Sequence, residues 1–192
     1  MMGSKKVAAV ILGVAIAAGA LVGSCAEPVH DIQVKALGGE LAGVPTGEFH
    51  RAGQPCAACH GGLGPASRKF TLAGTVFNGP VKAIGEENVE IELVDATGSR
   101  PRGDIKTNCV GNFFVTQDNW DPAFPILVWM RKGAQLTKMQ SHIGREPSCA
   151  QCHKDPPSFD TPGHVRLYAE DMPVAENLDC PVNPDLNPRE AN

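Results

Sequence analysis

An all-β sandwich is the fold class this sequence predicts for the middle of the chain, on three observations. Between residues 71 and 134 short apolar runs recur at regular spacing. Gly, Pro, Asn and Asp separate them, and no long amphipathic helix interrupts. Evenly spaced short strands with such punctuation belong to two packed sheets rather than to a bundle. The first run, 72–77, is closed by the turn-forming Asn78-Gly79-Pro80. In the second, Val89, Ile91 and Leu93 alternate with Glu90 and Glu92, the period of two that marks a half-buried strand. Asp95-Ala96-Thr97-Gly98 reads as the next turn. Residues 103–107, 111–116 and 124–131 supply the remaining strands.

On either side of this region the chain carries the same pentapeptide. Cys56-Ala57-Ala58-Cys59-His60 recurs as Cys149-Ala150-Gln151-Cys152-His153. Two C-x-x-C-H motifs in one exported chain point to covalent attachment of c-type haem. Two thiols at this spacing can add to the two vinyl groups on one porphyrin edge. The next residue then lies under the ring, where its imidazole reaches the iron. The expectation is two haems c, held by Cys56, Cys59, Cys149 and Cys152, with His60 and His153 as proximal ligands. A zinc site built from the four thiols would leave both histidines unexplained.

The sandwich region has a resemblance of its own. Gly74-Thr75-Val76, then Val89-Glu90-Ile91-Glu92-Leu93 with Asp95 and Gly98, then Thr107-Asn108-Cys109-Val110-Gly111-Asn112-Phe113-Phe114-Val115 resembles the carboxypeptidase-regulatory-like, transthyretin-like sandwich family. The likeness covers roughly sixty residues and implies an Ig-like, transthyretin-like β-sandwich, a fold used as spacer or binding module. A haem motif on each flank departs from that family's usual form. The whole arrangement looks like a group of bacterial exported proteins with such a sandwich between two haem-binding loop segments. Compact single-haem cytochromes c are helical, and this chain is not of that kind.

The N-terminus agrees with export. Lys5 and Lys6 precede an apolar stretch over 7–23, short for a membrane span and without a stop-transfer flank. It reads as a signal peptide, the alternative being an uncleaved anchor. Val22-Gly23-Ser24-Cys25 resembles a bacterial lipobox, which implies lipidation of Cys25 and anchoring to a membrane. Ala26 after that cysteine resembles the outer-membrane sorting pattern. Of the seven cysteines, Cys109 and Cys180 then remain. In an oxidising compartment a disulfide between them is the economical reading, and two buried free thiols the alternative.

The domain reading is a lipoprotein signal peptide at 1–24, a tether at 25–49, a first haem-binding segment at 50–70, the sandwich at 71–134, a second haem-binding segment at 135–165 and a proline-rich tail at 166–192. A short strand is expected at 164–168. The chain has 17 Lys and Arg against 21 Asp and Glu. Without Lys5 and Lys6 the balance is about −6, which excludes nucleic acid as a natural partner and leaves redox proteins of the envelope. No Ser/His/Asp set or phosphate-binding glycine loop suggests a hydrolase or nucleotide enzyme.

The distal iron ligands are less determined. His50 lies six residues before Cys56 and His142 seven before Cys149, each followed by Gly, Pro-rich, turn-forming sequence. His50, His142 and Met139 are therefore the candidate distal ligands, with His164 in reserve and His30, near the anchor, ranked last. Arg51, Arg145 and Lys154 beside the motifs are candidates for haem propionates or plain surface charges. Phe113, Phe114, Trp120, Phe124 and Trp129 are candidate porphyrin walls or sandwich core. The leading functional expectation is a dihaem lipoprotein carrying electrons. The alternatives are a haem enzyme of peroxidase type and a sandwich ligand-binding or adhesion module bearing haems.

Overall fold

A computed structural model describes residues 28–40, 44, 46–80, 84–170, 172, 173 and 180. The signal peptide, Cys25 and most of the proline-rich tail lie outside the described residues. Among those residues no helix is long and apolar enough to cross a membrane. Six strands dominate: β1 (Phe70–Thr75), β2 (Glu90–Val94), β3 (Ile105–Lys106), β4 (Asn112–Thr116), β5 (Leu127–Lys132) and β6 (Gln135–Lys138). Three helices join them: α1 (Pro28–Ala36), α2 (Ala57–His60) and α3 (Cys149–Cys152). The strands form two antiparallel sheets, β1-β4 and β3-β2-β5-β6. The fold is all-β.

One core cluster draws on both sheets. Leu72 of β1 and Phe113 and Val115 of β4 meet Ile91 and Leu93 of β2 and Met130 of β5. In β2 the alternation read from the sequence is kept: Ile91 and Leu93 are buried, while Glu92 faces outward between Arg100 and Arg131. Trp120 is a core residue whose indole N–H donates to Ser99 Oγ at 3.0 Å. The turn at Asp95 is built on its carboxylate. It accepts from the Thr97 and Ser99 amides and the Thr97 hydroxyl at 2.7–2.8 Å, and from the Ala123 amide at 2.9 Å.

The elements differ from the sequence reading at several points. The strand expected at 124–131 runs instead from Leu127 to Lys132, and Pro125 ahead of it has no N–H to give a ladder. The sheet continues past residue 134 into β6, a polar edge strand at the start of the segment assigned to the second motif. The expected tether holds α1, nine residues long, which stops at Gly38 in the left-handed conformation (φ 70°).

β1 is buried on almost its whole length, unlike β2, because both of its faces are used. One faces the core and the other takes α2 and α3. Its edge away from β4 is used as well. Ala73 N–H donates to Pro147 O at 2.9 Å, just ahead of α3. Four residues on, Phe77 N–H donates to Val165 O at 2.8 Å and Phe77 O accepts from Leu167 N–H at 3.1 Å. The strand expected at 164–168 is thus a single bridge, Phe77 to Arg166. The second motif is a loop pinned at both ends on one strand edge. A disulfide joins Cys109, ahead of β4, to Cys180, with Cα atoms 5.9 Å apart.

Candidate functional site

Each pentapeptide forms one helical turn. In the first, His60 N–H donates to Cys56 O at 2.8 Å; in the second, His153 N–H donates to Cys149 O at 2.9 Å. Residues i, i+3 and i+4 of a helical turn share a face, so each turn presents two thiols and an imidazole on one side. The two turns are neighbours. Ala57 N–H approaches Ser148 Oγ at 3.4 Å, and Ser148 is itself buried against β1. Gly74 of β1 leaves the room that Cys149 occupies: a Cβ there would stand 2.5 Å from the Cys149 Sγ.

The two histidines are held alike. His60 Nδ1 lies 2.8 Å from Arg68 O, and His153 Nδ1 lies 3.0 Å from Gly163 O. A carbonyl oxygen only accepts, so Nδ1 carries the proton and Nε2 keeps its lone pair. Among the described residues neither Nε2 has a hydrogen-bond partner. Burial, acting against the carbonyl bond, pushes both imidazoles below their ordinary pKa and so favours the neutral, ligating form. His60 also stacks on Phe70 with ring centres 4.0 Å apart, and Phe70 stacks on Phe114 at 4.7 Å.

A cavity of about 610 Å³ opens beside the first turn, lined by Cys56, Cys59, His60, Phe70, Phe114 and His50. A second, of about 600 Å³, lies beside the second turn between Gln151, His153, Phe77 and His164 and the α1 residues Gln33 and Ala36. Both have the volume of cofactor sites. Burial pushes the Cys56 thiol up to about 11 and, with Cys56 nearby, the Cys149 thiol up to about 12. At these two positions burial favours neutral sulfur. Among the described residues no three His, Cys, Asp or Glu side chains converge as metal ligands. The donor set fits haem.

The candidate distal residues fare differently. His50 faces the first cavity with its ring centre 6.1 Å from that of His60. Its Nδ1 lies 3.4 Å from Gly47 N and 3.9 Å from the Glu40 carboxylate. Asn112 fixes its backbone, donating to His50 O at 2.9 Å. His142 is exposed and Met139 half-buried, and neither lines either of these two cavities; the adjoining Ile143 is bonded to Ile126 beside β5. His164 lines the second cavity, but both nitrogens face oxygen: Nδ1 pairs with the Asp155 carboxylate and Nε2 lies 2.7 Å from Gly79 O. Arg51 is no free partner for a propionate. It bonds Leu37 O, Gly38 O, the Glu40 carboxylate and Gln54 Oε1, and so fastens the end of α1 to the loop that carries His50.

Phe70, Ser148 and the Arg68 and Gly163 carbonyls were not singled out from sequence, and Gly74 was read only as part of the sandwich resemblance. Only Phe70, an aromatic opening a strand ten residues after His60, carried a usable signal. No family model, curated protein or solved structure matches this chain.

Proposed function

We propose that the chain is a dihaem c-type cytochrome lipoprotein that carries electrons at the bacterial cell envelope. The observation that carries this reading is the pairing of two C-x-x-C-H turns on one strand, each with its imidazole tied through Nδ1 and its Nε2 unpaired among the described residues. Cys56, Cys59 and His60 would hold the first haem, and Cys149, Cys152 and His153 the second. The haems supply one-electron iron chemistry when bound, and the polypeptide supplies ligation, burial and spacing. Arg68 O and Gly163 O fix tautomer and ring orientation, as outer partners of metal-bound histidines do.

His50 is the distal ligand of the first haem in this reading. Two imidazoles on opposite sides of one metal ion, each about 2 Å from it, have ring centres about 6 Å apart. The His50–His60 separation of 6.1 Å fits that arrangement. With both His50 and His60 as ligands the first haem would have no open position for peroxide, which favours the carrier over the peroxidase reading. The two sheets serve as an Ig-like, transthyretin-like sandwich scaffold between the haem-binding segments. Cys25 carries the lipid anchor, placing the protein at the outer membrane with redox proteins of the envelope as partners.

Intact mass of the exported protein after acid-acetone extraction tests the reading. Two retained haem masses per chain are expected, together with an acylated Cys25 at the mature N-terminus. Retention of fewer than two rejects the dihaem assignment.

A further inference from the structure

His50 differs from the other two imidazoles assigned to iron. His60 and His153 turn Nδ1 to a neutral backbone carbonyl. His50 turns Nδ1 towards a carboxylate, with Glu40 Oε1 at 3.9 Å, and both side chains line the first cavity. The Gly47 amide also points at this nitrogen, at 3.4 Å. An imidazole that ligates through Nε2 carries its proton on Nδ1, and a protonated nitrogen accepts nothing from an amide N–H. Ligation therefore makes Nδ1 a donor, and Glu40 Oε1 is the acceptor beside it. A shift of about 1 Å brings the two to hydrogen-bond distance.

The carboxylate is held in place for that contact. Arg51 Nε donates to the same oxygen, Glu40 Oε1, at 2.8 Å. The rest of the guanidinium is tied to Leu37 O and Gly38 O at the end of α1. Arg51 has φ 52°, in the left-handed region that residues other than glycine enter uncommonly. With that backbone turn, adjacent residues bring a guanidinium and an imidazole to one carboxylate oxygen. The Arg51 and Glu40 side chains are 18% and 33% exposed, and partly buried charges are screened less than surface ones.

We infer that Glu40 is a positioning residue that acts on the first haem through His50, its carboxylate accepting the Nδ1 hydrogen bond of that ligand. The inference rests on His50 as the distal ligand in the reading above. A carboxylate partner raises the basicity of a ligating imidazole, where a carbonyl does so less. A more basic ligand favours ferric over ferrous iron, so Glu40 holds the potential of the first haem down.

The test uses the full, haem-loaded chain, with haem content read first by intact mass. Fewer than two haem masses removes the dihaem reading itself and is recognised before any variant is compared. Ferric EPR and a spectroelectrochemical titration follow, in wild type and in a Cys149→Ser/Cys152→Ser background that isolates the first haem. Glu40→Gln keeps an oxygen for Arg51 and for His50 and removes only the charge. It is expected to retain both haems and the low-spin signal and to shift the potential of the first haem upward, in both backgrounds. Combined with His50→Ala, the same change should no longer shift that potential, as a coupling that runs through His50 requires. The inference is overturned by an unshifted potential in Glu40→Gln, by a shift that survives His50→Ala, or by loss of the low-spin signal in Glu40→Gln, which would leave Glu40 a part of the loop alone. A first haem that is already high-spin in wild type removes His50 as its ligand and the inference with it, while two retained haem masses leave the dihaem assignment standing.

Discussion

Gly74 and Asp95 show how far single side chains control this molecule. At Gly74 the nearest atoms to an added Cβ would be the Cys149 Sγ at 2.5 Å, the Cys149 Cβ at 2.9 Å and a Phe113 ring carbon at 3.0 Å. Gly74→Ala is therefore expected to cost about 1–3 kcal/mol in urea denaturation, the usual range for overpacking. It should also lower haem content at the second motif more than at the first, as tryptic haem peptides would show. At Asp95 burial alone would raise the carboxyl pKa, but donors from Ala123, Thr97 and Ser99 outweigh it and bring it from 3.8 to about 2. A folded-state value below the unfolded one means stability that is present above the ordinary carboxylate range and lost as pH falls through the folded value. The wild-type denaturation midpoint should drop between about pH 5 and about pH 2.5 by more than that of Asp95→Asn. In that variant an amide N–H₂ would face one of the backbone donors. Equal slopes would show that the turn carboxylate does not contribute.

At the scale of elements, the segments ahead of the two motifs are held in different ways. Asn112, at the start of β4, bonds His50 O at 2.9 Å and Glu48 O at 3.2 Å, and its Oδ1 accepts from Thr75 on β1 at 2.7 Å. The sheet thus holds the His50 loop over the first cavity. Asn112→Ala should loosen that loop and give a partial high-spin signal, while Asn112→Asp, which keeps the Thr75 acceptor but loses the donor, should do the same. A low-spin spectrum in both would remove the positioning role. The equivalent segment before the second motif is pulled to the opposite sheet by the Ile126–Ile143 pair, so the repeat in the sequence is not a repeat in space. That divergence is why His50, ahead of the first motif, lies at a cavity while His142, ahead of the second, lines neither of the two described. The pentapeptides and the period-two strand at β2 are local patterns, whereas the second cavity is walled in part by α1, far away in sequence. α1 escaped notice because its nine residues carry only a weak apolar stripe, with Val29 and Ile32 turned to solvent. β6 escaped because an edge strand with three polar residues of four gives no apolar alternation.

For the whole molecule, the disulfide is the longest covalent tie, closing 71 residues of sequence between Cys109 and Cys180. Chain entropy alone assigns such a closure about 4 kcal/mol. The double change Cys109→Ser/Cys180→Ser should lower unfolding free energy by up to that amount and leave the spectrum of the proposed haems unchanged, since neither cysteine lines either of the two cavities beside the motif turns. The all-β class and both pentapeptides were readable in advance because they depend on neighbours in sequence, whereas the helical turn that each pentapeptide forms was expected as loop. The division of six strands into sheets of two and four, and the use of both faces of β1, depend on which edges meet, and no local pattern encodes that choice.

β1 is six residues long, yet it underlies both motif turns and pins both ends of the second loop through its edge and extension. The two motif turns therefore share one support, and a substitution that shifts the β1 backbone would move both turns together rather than either alone.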